Sequence, residues 1–165
     1  MGLIAGMGAY LMWGLLPLYF HTLIHIAPED ILAHRVLWSI PTAFALILVA
    51  KRWNEFPGLF RRKVVFWLFA SAVLIGINWL VYIWAVANAR VMEAALGYYM
   101  NPLINVAVGA IFLSERLRKW QWVAVALAAI AVCVEATALG RFPWVSLVLS
   151  FSFAAYSLIR RKVQV

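Results

Sequence analysis

Six stretches of this chain are each about as long as a bilayer is thick and carry almost no charge. A helix needs about 20 mostly apolar residues to cross a hydrocarbon core about 30 Å thick. Such runs occur at roughly residues 2–22, 31–50, 64–89, 91–113, 121–139 and 143–159. The breaks between them hold turn residues: Pro28-Glu29-Asp30 before the second run, Pro57-Gly58 before the third and Gly140-Arg141 before the sixth. The third and fourth runs meet at Asn88-Ala89-Arg90, which demands a tight turn. All six are apolar on every face, whereas barrel strands would alternate over about 10 residues. The first run is too long and too lightly charged at its front for a cleaved signal peptide, so it reads as a retained span.

Composition leads to the same class. Of 165 residues, 67% are hydrophobic and 12% charged, against about 45–50% apolar and 25% charged in soluble domains. A soluble enzyme, a nucleic-acid module and a disordered chain are all excluded. A single cysteine, Cys133, leaves no intrachain disulfide framework and no multi-cysteine metal site. The expected fold is therefore an all-α integral membrane protein with six predicted transmembrane helices.

The net charge of +8 is a matter of topology. Lys51, Arg52, Arg61, Arg62 and Lys63 sit between the second and third runs, and Arg116, Arg118 and Lys119 between the fourth and fifth. Arg160, Arg161 and Lys162 follow the sixth. All of these fall on one side, with only Arg35, Arg90 and Arg141 opposite. The positive-inside bias then puts the N-terminus in the cytoplasm. The basic clusters are topological anchors, and no nucleic-acid partner is implied.

Ionisable groups within spans are costly and mark functional candidates by default. His34, Arg35, Glu93 and Glu135 all fall toward the outer side in this topology. They form a candidate outer polar cluster, with Arg35 bridging Glu93 or Glu135, snorkelling to the headgroups, or serving substrate or proton transfer. Glu135 has no sequence-local cation and is the proton-coupling candidate. Glu29 and Asp30 suit the positive end of a helix dipole. His21 and His25 are spaced i, i+4 without a further ligand, so neither a metal nor a cofactor is expected.

In the fourth run, Glu93, Gly97, Asn101, Asn105 and Gly109 recur every four residues and make one stripe. A polar, small-residue stripe faces protein or a cavity, and its glycines permit close helix approach. Asn101-Pro102 marks an expected interruption near midspan, the kind of place where transporters bind substrate. A plain packing face is the competing reading. The substrate-binding candidates are Asn78, Trp79, Tyr98, Asn101, Pro102 and Asn105. Tyr99, Trp13, Pro17 and Tyr19 are further pocket residues. No P-loop, intramembrane HExxH, nucleophile elbow or carboxylate pair at helical spacing is present, so no catalytic residue is expected.

These residues carry a family resemblance. His34-Arg35-Val36-Leu37-Trp38-Ser39, Gly76-Ile77-Asn78-Trp79-Leu80, Ile83-Trp84-Ala85-Val86 and Glu93-Ala94-Ala95-Leu96-Gly97-Tyr98 resemble bacterial EamA-type permeases of the drug/metabolite transporter superfamily. Asn101-Pro102-Leu103, Phe112-Leu113-Ser114-Glu115-Arg116 and Gln121-Trp122 add to it, and the nearest branch is the RarD-like one, named for chloramphenicol sensitivity. The resemblance implies a ten-helix carrier of two inverted five-helix repeats. Residues 1–140 would be one repeat, and residues 141–165 the first helix of an incomplete second repeat with a basic tail.

The expected function is that of a secondary permease for a small metabolite or drug, working by alternating access in a bacterial inner membrane. The alternatives are a truncated, inactive transporter fragment and a membrane scaffold or dimerisation protein. Lipid and a small-molecule substrate are the expected partners, with homodimerisation required if the short chain is genuine.

Overall fold

A computed structural model describes residues 2–51, 60–113, 118–140 and 142–162. Pro57-Gly58, Arg52, Arg141, residues 114–116 and 163–165, and the side chains of Phe112, Glu135 and Lys162 lie outside the described residues. The described chain consists of six α-helices: α1 (Gly2–Thr22), α2 (Pro28–Ala50), α3 (Arg62–Ala87), α4 (Val91–Leu113), α5 (Lys119–Leu139) and α6 (Trp144–Lys162).

Local chemistry sets the helix ends, and two bounds differ from the apolar runs for that reason. α2 starts at Pro28, earlier than its apolar run, with Glu29 and Asp30 in its first turn. Proline at the first helical position loses no hydrogen bond, and the carboxylates meet the positive end of the dipole. α3 stops at Ala87, short of its apolar run. There the Arg90 amide donates to the Ala85 carbonyl at 2.7 Å and the Ala89 amide to the Val86 carbonyl at 3.3 Å. These two bonds make a Schellman cap. Ala89 occupies its left-handed position at φ 56°, and the Asn88 side chain donates to the Trp84 carbonyl at 2.8 Å. The expected tight turn is this cap.

α6 packs chiefly against α3 and α4, α2 and α1 lie against α3, and α5 lies against α4. The core gathers where α1 and α3 end and α2, α4 and α6 begin. Phe20, Ile31, Ile83, Val86, Ala94, Val145 and Leu149 are buried together there. In α1 and α2, by contrast, only Phe20 and Ile31 are buried. Leu3, Ile4, Leu11, Trp38, Phe44 and Val49 point outward, a surface that suits lipid and not water. Among the described residues, α1, α2 and α3 are long and apolar enough to cross a membrane, and residues 119–134 of α5 form a shorter apolar stretch.

Candidate functional site

A cavity of about 130 Å³ lies between α1, α3 and α4, lined by Trp13, Leu16, Pro17, Trp79, Tyr82, Val91, Ala95 and Tyr98. Each helix contributes residues three or four apart, which fall on one helical face. The walls are largely aromatic. Trp79 and Tyr82 meet edge to face at 5.7 Å between ring centroids, and Tyr82 and Tyr98 at the same distance. Phe20 closes the cluster from α1, 5.9 Å from Tyr82 and 6.3 Å from Trp79. Such edge-to-face pairs contribute roughly 0.5–1.5 kcal/mol each beyond area burial.

Arg35 reaches this cluster from α2. Its guanidinium carbon lies 3.5 Å from the Trp79 ring centroid and 5.5 Å from that of Phe20. Because α2 begins at Pro28, Arg35 lies about two turns inside the helix. The half-buried side chain turns toward the bundle and stacks on aromatic faces, a favourable cation–π arrangement.

The other wall of the site is tied to α6. The Tyr98 hydroxyl donates to Asn78 Oδ1 at 3.1 Å. Asn78 Nδ2 donates to the Leu149 carbonyl at 2.8 Å and to Ser152 Oγ at 2.9 Å. Asn78 is thus buried with both ends of its amide engaged. Ser146 Oγ donates to the Glu93 carbonyl at 2.7 Å. Gly97 lets α6 come this close, since a Cβ there would stand 2.9 Å from the Ser146 carbonyl oxygen and 3.0 Å from Leu149 Cβ. The α4 stripe therefore meets α6 at Glu93 and Gly97; along it Glu93, Gly97, Asn101 and Gly109 are buried and Asn105 is half-buried.

The candidates divide accordingly. Trp79 and Tyr98 line the cavity together with Trp13 and Pro17. Asn78 stands behind Tyr98, bonded to α6. Asn101 is buried, and its Oδ1 has no hydrogen-bond partner among the described residues. Pro102 and His34 are exposed, and Tyr99 is turned outward. None of the polar stripe lines the cavity. Among the described residues, Arg35 and Glu93 have different neighbours. Arg35 stacks on Trp79, whereas buried Glu93 has Arg90 Nη1 3.8 Å from Oε2. Arg90 also sits 5.2 Å from the Trp84 ring. The side chain of Glu135 is outside the described residues. Tyr82 was missed, although its i+3 spacing from Trp79 was the available signal.

The sequence of residues 1–136 matches the EamA-like transporter family. The chain belongs to that family. This EamA-family chain is 48% identical to the RarD protein of Streptomyces exfoliatus, covering 98% of this chain and 52% of the relative. It is 44% identical to RarD of Salmonella typhi, over 99% of this chain and 56% of that protein. An uncharacterized transporter of Vibrio cholerae is likewise 44% identical, over 99% of this chain and 55% of its own. The chain thus spans about half the length of the curated relatives it matches. No solved structure matches it. The family and the Vibrio cholerae relative are transporters by name, and with the apolar helices they make this a multi-pass membrane protein.

Proposed function

We propose that this EamA-family chain is part or all of a secondary transporter for a small metabolite or drug, and that the α1–α3–α4 cavity receives the substrate. The observation that carries this reading is the aromatic cavity itself. A mostly apolar concavity with a few convergent polar groups is the usual form of a small-molecule site. Here Trp13, Trp79, Tyr82 and Tyr98 supply the apolar walls, while Arg35, stacked on Trp79, brings a charged group beside them. Asn101 and Asn105, on the buried stripe of α4, belong to a second layer in this reading, and exposed Pro102 stands outside it.

The bacterial relatives support a bacterial inner-membrane location, and the basic-residue bias supports a cytoplasmic N-terminus. That orientation places the cavity toward the outer side, near the ends of α1 and α3. Residues 1–140 are read as one five-helix repeat and α6 as the first helix of a second. The test is export or uptake of a panel of labelled metabolites and drugs by cells expressing the protein. Trp79→Ala and Trp13→Ala should abolish the transport of any substrate found, at wild-type levels of membrane insertion. Undiminished transport by both variants rejects the cavity as the substrate site.

A further inference from the structure

The walls of the cavity select a class of substrate. We infer that the site takes a small uncharged molecule built around a single aromatic ring; this rests on the cavity being the substrate site. The size follows from the volume of about 130 Å³, since a dry cavity of roughly 150 Å³ in another protein accommodates one benzene ring. The room exists because α4 contributes only the short side chains of Val91 and Ala95 beside Tyr98. The shape follows from the rings. Tyr82 stands at 89° to Trp79 and at 67° to Tyr98. Ring faces and ring edges thus lie side by side in the wall, the two surfaces against which another aromatic ring packs.

The absence of charge on the substrate follows from what the wall is made of. Its surface is predominantly apolar. The polar groups that the described lining residues bring are indole N–H donors and phenol hydroxyls, all uncharged at neutral pH. One of these is already engaged, because the Tyr98 hydroxyl donates to Asn78 Oδ1 at 3.1 Å. Arg35 stacks on Trp79, yet it lines a separate open hollow along α2 with Trp38, Ser39 and Thr42. An ionised ligand entering the cavity sheds its water against carbon, a cost that ring faces only partly return. A hydroxyl or a similar weakly polar group loses far less, since one neutral hydrogen bond to an indole or a phenol satisfies it. The cavity therefore accepts a ring with a small neutral substituent and discriminates against either sign of charge.

The experiment uses the full chain in phosphatidylcholine nanodiscs with radiolabelled benzyl alcohol at neutral pH, and empty nanodiscs give the share held by lipid. Unlabelled benzyl alcohol, benzylamine, benzoate and naphthalenemethanol compete. The first three share one ring and differ in charge, and the fourth adds a second ring. Benzyl alcohol is expected to compete at least about tenfold better than each of the others. Ala95→Leu adds three carbons inside a space sized for one ring, and Trp13→Ala removes a wall. Each should weaken binding of benzyl alcohol at least about tenfold, at unchanged helical circular dichroism. Equal competition by the three one-ring compounds, lost in either variant, keeps the cavity as a ligand site and overturns the uncharged class. Preference for benzylamine or benzoate overturns it too. Equal competition by naphthalenemethanol overturns the single-ring size. Undiminished binding in both variants, or no saturable binding in the wild-type chain, overturns the cavity reading and the inference with it.

Discussion

The hydroxyl of Tyr98 donates to Asn78 Oδ1 at 3.1 Å, so a wall of the cavity and the docking of α6 share one side-chain amide. Tyr98 presents its ring to the cavity and its oxygen to Asn78. The two functions of the residue can be separated by substitution. Tyr98→Phe keeps the ring and removes the donor. We expect ligand binding within a few-fold of wild type and a stability loss of about 0.5–1.5 kcal/mol, measured by thermal unfolding in detergent. A large loss of binding with no loss of stability would reverse the assignment.

Asn78→Leu goes further, because it removes all three bonds to Tyr98, Leu149 and Ser152. Interhelical hydrogen bonds in membranes average only about 0.6 kcal/mol, but buried groups left unpaired add to the cost. The expected destabilisation is about 1–3 kcal/mol. Limited proteolysis should then cut first in the connection before α6.

Gly97→Ala tests the close approach of α4 and α6. The added Cβ would meet the Ser146 carbonyl oxygen at 2.9 Å, and backbone there has little room to yield. Overpacking of this kind costs roughly 1–3 kcal/mol. Gly14→Ala is the control: nothing lies within 4 Å of its Cβ position, and stability should hold or rise. Equal melting temperatures for the two variants would remove the tight contact.

Ala89→Gly should stabilise the protein. Ala89 holds φ at 56° inside the cap joining α3 to α4, and an L-residue in that region loses roughly 1–2 kcal/mol that glycine does not. A gain of about 1 kcal/mol in thermal or denaturant unfolding is expected, with transport unaltered.

For Asn101→Leu we expect lost transport and intact insertion. The substitution removes a buried acceptor that has no partner among the described residues, so folding should not suffer. Wild-type transport in a stable variant would make the α4 stripe a packing surface alone.

The apolar runs and their punctuation predicted six helices and the sharp turn at Asn88–Arg90, because both depend on residues adjacent in sequence. The stripe from Glu93 to Gly109 was legible as a face turned toward protein for the same reason. Its partner was not. Ser146 and Leu149 lie some fifty residues away in sequence, and helical periodicity says nothing about which helix fills a groove. Arg35 was read against carboxylates at similar depth, but its surroundings depend on how far α2 is rotated, which brings Trp79 under the guanidinium. Tyr82 escaped notice because its i+3 spacing from Trp79 gives a shared helix face but not the neighbours on α1 and α4 that close over it.

The serines of α6 have one more consequence. Ser150 Oγ donates to the Ser146 carbonyl at 2.7 Å, and Ser152 Oγ to the Leu149 carbonyl at 3.2 Å. Both hydroxyls are satisfied within their own helix, as serine commonly is in apolar surroundings. The hydrogen bonds shown crossing to α6 are the two from Asn78 and the one from Ser146 to Glu93. Tilting α6 like a lever about these few stitches would leave Ser150 saturated at every angle, so lipid or a neighbouring helix could replace its lost contacts without meeting a bare hydroxyl.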